Sequence, residues 1–203
     1  MNSCYQFKDQ TTLEHGFAVH HAYLALISKR TEAPVPSWFV ENFEWLLSQQ
    51  VDEITLKYYL VYHDCAKFKT LSVDPDGNQH FEGHALASKH LWEELFGPSL
   101  VSELIGRDMD MHLLKPSLIN TYDRPDLMPT LLVCALAELH ANAAMFGGFD
   151  STSFKIKFKA LTRLGNTFIK TTLKGEKNEH QVIHQYFKCK RRCRITSSHL
   201  SNG

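Results

Sequence analysis

Apolar residues recur through most of this chain at intervals of three and four, in runs cut by short clusters of breakers. That period belongs to one face of an α-helix, whereas the strict alternation of a half-buried strand is scarce. The spacing predicts helices over 12–30, 37–49, 52–68, 83–96, 98–112, 126–146, 153–172 and 177–190. Between them fall Pro34 and Pro36, the turn Asp74-Pro75-Asp76-Gly77-Asn78, Gly97-Pro98, Pro116, Pro125 and Gly147-Gly148. The expected fold class is all-α, a helical bundle without internal repeats. Residues 69–82 form a long connection, expected to be a loop or short hairpin.

The chain has 203 residues, enough for one domain with a substantial core. A helical domain is expected over 1–175, followed by a basic and partly disordered extension over 176–203. A net charge of zero conceals this division. Residues 155–194 hold twelve Lys or Arg and two Glu, whereas 1–154 hold ten basic and twenty acidic residues. The body is acidic and the tail basic, so any nucleic-acid contact is expected in the C-terminal segment, with a solvated tail as the alternative. No apolar run is long enough for a bilayer, and MNSCYQFKDQ lacks the core of a signal peptide, so a cytoplasmic protein with no membrane partner is expected. Cys4, Cys65, Cys134, Cys189 and Cys193 are odd in number and sparse, and read as reduced thiols.

Twelve histidines are the compositional anomaly. Several lie on apolar faces. His15 leads a stripe through Ala18, Val19, Ala22 and Leu26. His84 follows Gly83 and shares a face with Ala87, Leu91 and Leu95. His63-Asp64 follows Leu56 and Leu60, His112 follows Ile105, Asp108 and Met109, and Glu138 continues Leu131, Cys134 and Ala135. One buried histidine is usually a hydrogen-bonded core residue. Five helices that each turn a metal-competent group inward are another matter. Burying these groups unpaired costs about 1–3 kcal/mol apiece, and a shared cation would satisfy them together. The expected ligands are His15, His63, Asp64, His84, His112 and Glu138, with His140 as a substitute for Glu138.

The order H…HD…H…H…D/E on successive helices resembles the HD-domain superfamily of metal-dependent phosphohydrolases. The match is carried by L13-E-H15-G-F-A-V19-H-H-A22, by Y59-L-V-Y-H63-D64-C-A-K67, by F81-E-G-H84-A-L-A-S and by L132-V-C-A-L-A-E138-L-H, together spanning residues 12–146. The family usually carries Asp where this chain has Glu138. The resemblance implies an HD-type bundle around a buried metal site. His84 and His112 resemble the added ligands of two-metal members. In a one-metal site they would meet substrate phosphate instead.

Imidazoles mixed with carboxylates suit Mn²⁺, Fe²⁺, Co²⁺, Ni²⁺ or Zn²⁺, as one or two ions. Such a site activates water against a phosphate ester or anhydride. Asp64 is the expected catalytic carboxylate, and Lys67 is expected both in catalysis and on the phosphate. Arg107 and Lys115, which flank His112, are further substrate-binding candidates. No Walker loop, nucleophile elbow or dinucleotide fingerprint names the substrate. A small phosphorylated molecule such as a nucleotide is the leading expectation. Nucleic-acid ends and a non-catalytic nucleotide-binding module are the alternatives. His180, His184, Cys189 and Cys193 offer a separate zinc-ligand set in the tail.

Overall fold

A computed structural model describes residues 1, 5–7 and 10–173 of the chain. A short antiparallel hairpin, β1 (Tyr5–Phe7) and β2 (Gln10–Thr11), leads into α1 (Thr12–Ile27). Thr11 starts that helix with a reciprocal cap. Its hydroxyl accepts the Glu14 N–H at 3.2 Å, and the Glu14 carboxylate accepts the Thr11 N–H at 2.8 Å. Two short helices, α2 (Ser37–Glu41) and α3 (Phe43–Ser48), follow where one was expected. They break at Asn42, whose side-chain amide donates to the Trp38 carbonyl at 2.8 Å.

Asp52 caps α4 (Glu53–Tyr62) by accepting the Thr55 N–H at 3.0 Å. The helix stops at Tyr62, earlier than its apolar period suggests. Beyond it the chain tightens into three-residue turns, Cys65 N–H to the Tyr62 carbonyl and Lys67 N–H to the Asp64 carbonyl, and a 3₁₀ turn at Lys67–Lys69. The hairpin of β3 (Ser72–Val73) and β4 (Gln79–His80) fills the long connection. Next come α5 (His84–Phe96), α6 (Leu100–Gly106) and the single turn α7 (Asp110–Leu113), so the expected helix 98–112 is split. A 3₁₀ segment at Pro116–Thr121 precedes α8 (Met128–Ala141), and α9, the last helix among the described residues, occupies 152–173. The expected helix 177–190 and the tail lie outside the described residues.

The fold is all-α apart from the two hairpins. Its axis is α8, on which nearly every residue from Met128 to His140 is buried. Helix α1 packs on α8 and α4, α4 on α6, and α5 on α6. Leu26, Leu60, Leu104, Leu132, Leu136 and Phe154 are fully buried around that axis. Each such side chain contributes about 1.5–3 kcal/mol, so a polar group among them must find its partner inside. Gly16 sets the closest crossing: a Cβ there would lie 2.1 Å from the Val61 carbonyl oxygen. Only glycine lets α1 approach α4 so closely, and that approach brings His15 beside His63. No helix among the described residues is long and apolar enough to cross a membrane.

Candidate metal centre

Three of the expected ligands converge. One ligand atom each from His15, His63 and Glu138 lies within 4.8 Å of the other two. They come from α1, the end of α4 and the last turn of α8, the three helices whose packing Gly16 and the α8 axis determine. The imidazoles of His15 and His63 meet edge-on, with ring centroids 5.2 Å apart. Both residues are buried, and Glu138 is nearly so.

The tightening after Tyr62 resolves how His63 and Asp64 serve one place. On a continuous helix, neighbours diverge by about 100°. Here Asp64 lies past the helix end, with its carboxylate 3.5 Å from His63 Nε2. His63 Nδ1 donates to the Leu60 carbonyl at 2.9 Å, which fixes the ring with Nε2 turned toward the cluster. His84, opening α5 after the left-handed Gly83, repeats the device: Nδ1 donates to the Phe81 carbonyl at 2.7 Å, and Nε2 lies 3.6 Å from Asp64 Oδ1. Lys67 Nζ donates to Asp64 Oδ2 at 2.8 Å and sits 5.1 Å from the centre of the Phe81 ring. His112 donates through Nε2 to Glu138 Oε2 at 2.9 Å and so supports that carboxylate.

Among the described residues, several buried polar atoms here have no hydrogen-bond partner: both ring nitrogens of His15, His63 Nε2, Asp64 Oδ1 and Asp108 Oδ2. Unpaired buried atoms are uncommon in folded proteins and individually costly. Their concentration at one point, with the donor types that transition metals prefer, fits a cation held by His15, His63 and Glu138 with Asp64 adjacent.

The charged groups of the pocket shift one another strongly. Burial, helped by the neighbouring His63, pulls His15 down to about 4. Burial also opposes the charging of His63, but Asp64, Asp108 and Glu138 outweigh it and raise the imidazole to about 9. His112 is raised by Glu138 against its own burial. Burial works against Asp64 and Glu138, yet His63 and Lys67 hold the first low, and His112 and His63 the second. Asp108 goes the other way: burial and the Glu138 charge push its carboxyl up to about 6.

The remaining expected site residues have other engagements. Arg107 meets Asp123 with both terminal nitrogens, at 2.8 and 2.7 Å, and approaches Glu103 and Asp110 at 3.4 and 3.5 Å. Lys115 lines an open surface groove with Leu113, Leu118 and Tyr122. His140 donates to the Pro34 carbonyl at 3.0 Å and packs on Phe149, away from Glu138's partners. His180, His184, Cys189 and Cys193 lie outside the described residues. Sequence reasoning missed Asp108, whose Oδ1 accepts the Tyr59 hydroxyl at 2.8 Å, although its position four residues before His112 was a usable signal. It also missed Asn142, which donates to Glu138 Oε1 at 3.4 Å, and Ser88, whose hydroxyl accepts the Ala66 N–H at 3.1 Å and pins the turn that carries Asp64.

No protein-family model, curated protein or solved structure matches this chain.

Proposed function

We propose that this chain is a metal-dependent phosphohydrolase of the HD type, cleaving a phosphate ester or anhydride of a nucleotide or similar small molecule. The observation that carries the reading is the convergence of His15, His63 and Glu138 around buried polar atoms that lack a partner among the described residues. A divalent transition metal, when bound, would lower the pKa of water and neutralise phosphoryl oxygens. The chain's own groups divide the remaining work. His63 and His84 are oriented by backbone carbonyls, with their Nε2 atoms turned inward. Asp64 accepts from Lys67 and faces both imidazoles, so it can orient the site's donors while holding the ammonium at its edge. Lys67, mostly buried and set beside Phe81, supplies positive charge where a phosphate would enter.

The acidic body favours a small substrate over a polynucleotide, whose backbone an excess of carboxylates would repel. The test is phosphate release from a panel of mononucleotides, dinucleotides and simple phosphate esters, with Mn²⁺, Co²⁺, Ni²⁺, Zn²⁺ or Mg²⁺ resupplied after chelation. Turnover with a transition metal, abolished by Asp64→Ala, is the expected result. Metal binding without turnover on any substrate would overturn the enzymatic reading in favour of a binding module.

A further inference from the structure

The hairpin that carries the chain from Lys67 to His84 is amphipathic. Ser72 pairs with His80 and Val73 with Gln79 in antiparallel register. Opposed residues of such a pair share a face, and successive ones alternate between faces. Ser72, Asp74, Asn78 and His80 therefore fall on one side. Asp74 fastens that side, accepting from the Asn78 side-chain amide and from His80 Nε2, each at 3.0 Å. Val73 falls on the other side, and one further step of the register sets Leu71 opposite Phe81 there. This apolar side is left in water: Leu71 is 43% exposed and Val73 60%.

Scattered exposed apolar residues need no explanation, but this face adjoins the candidate centre. The Phe81 ring lies 5.1 Å from Lys67 Nζ, which donates to Asp64 at 2.8 Å, and the Phe81 carbonyl accepts from His84 Nδ1 at 2.7 Å. A ligand whose phosphate meets the centre beside Lys67 has Phe81 next to it. The size of the face limits what can lie there. Leu71 to Val73 is about 7 Å along the strand, and the step across to Phe81 about 5 Å. That is the extent of one base, and far below the roughly 800 Å² that a protein partner covers. An aliphatic group of this size would gain burial alone, whereas a flat ring also stacks against Phe81.

We propose that Phe81, with Leu71 and Val73 beside it, is a specificity platform on which the base of the substrate stacks, so that the chain prefers a nucleotide to the corresponding sugar phosphate. This rests on the metal-dependent reading above. Stacking of a base on an aromatic side chain changes affinity by roughly 5- to 100-fold and tolerates any base.

The test titrates the full chain, loaded with Mn²⁺, with two non-hydrolysable phosphonates in a calorimeter: the analogue of adenosine 5′-monophosphate and that of ribose 5-phosphate, which lacks the base. Wild type should bind the adenosine analogue at least fivefold more tightly. Phe81→Ala should bring the two affinities within twofold of each other by weakening the adenosine analogue alone. The contact to His84 is made by the Phe81 backbone, so this variant keeps it. Phe81→Tyr should retain the preference, and Leu71→Ala, at an exposed position, should reduce it. Equal wild-type affinities would overturn the platform while leaving the metal centre intact. So would an equal loss for both ligands in Phe81→Ala, which would mean that the ring only positions Lys67. If Phe81→Ala does not fold, an undiminished preference in Leu71→Ala overturns the proposal. A wild-type chain that holds no Mn²⁺ would instead remove the metal reading itself.

Discussion

His15 is buried completely, and neither ring nitrogen meets a hydrogen-bond partner among the described residues. Its replacement by leucine, a side chain of similar volume, should therefore stabilise the metal-free protein. An unpaired buried polar group costs about 1–3 kcal/mol, and an imperfect volume match returns up to about 1.5 kcal/mol. The net gain is about 1 kcal/mol, which for a chain of this size raises Tm by roughly 2–4 °C. In saturating metal the order should invert. A cation present at a thousand times its Kd stabilises the wild type by about 4 kcal/mol, and a variant without His15 forfeits most of that. The assay is differential scanning fluorimetry at pH 7.5, in chelator and in 1 mM Mn²⁺ (about a thousandfold excess over a micromolar Kd). His15→Leu should melt above wild type in the first buffer and well below it in the second. A variant less stable than wild type in chelator would refute the reasoning, because it would mean that His15 is a structural residue with partners of its own.

Four further outcomes follow from the same geometry. The metal-free protein should lose stability as pH rises from about 6.5 to about 9: His63 is held above its ordinary value, so its contribution is complete below the unfolded value and lost through the folded one, as Tm against pH will record. Gly16→Ala forces α1 off the Val61 carbonyl, costing about 1–3 kcal/mol in urea unfolding and weakening metal binding by parting His15 from His63. Arg107→Ala, which loosens a partly exposed surface network, should change stability by less than about 1 kcal/mol and leave KM near wild type, whereas Lys67→Ala should lower kcat/KM on the substrate found above by about 100-fold.

Much of this arrangement was legible in the residues because apolar period and helix face are the same physical fact. Leu131, Cys134 and Ala135 are buried with nearly all of α8, and Glu138 follows them at helical spacing. His15 shares a stripe with Val19 and Leu26, and both are buried where the period puts them. The end of α4 was not legible. No glycine or proline marks Tyr62, and the turn is made by i+3 backbone bonds that leave no residue signature. Asp108 was hidden for a related reason. Its partner is Tyr59, far off in the chain, so its place on the His112 face gave a direction but not the contact. Arg107 shows the converse limit: a cation next to a candidate ligand suggested phosphate, but nearby carboxylates occupy it.

The most direct measurement is anomalous diffraction from crystals grown with Mn²⁺, with data collected at the manganese edge. The account predicts one peak per chain, bounded by His15, His63 and Glu138, with imidazole nitrogens and carboxylate oxygen at about 2.0–2.4 Å. A map without a peak there, with the two imidazoles instead hydrogen-bonded to protein groups, would contradict it.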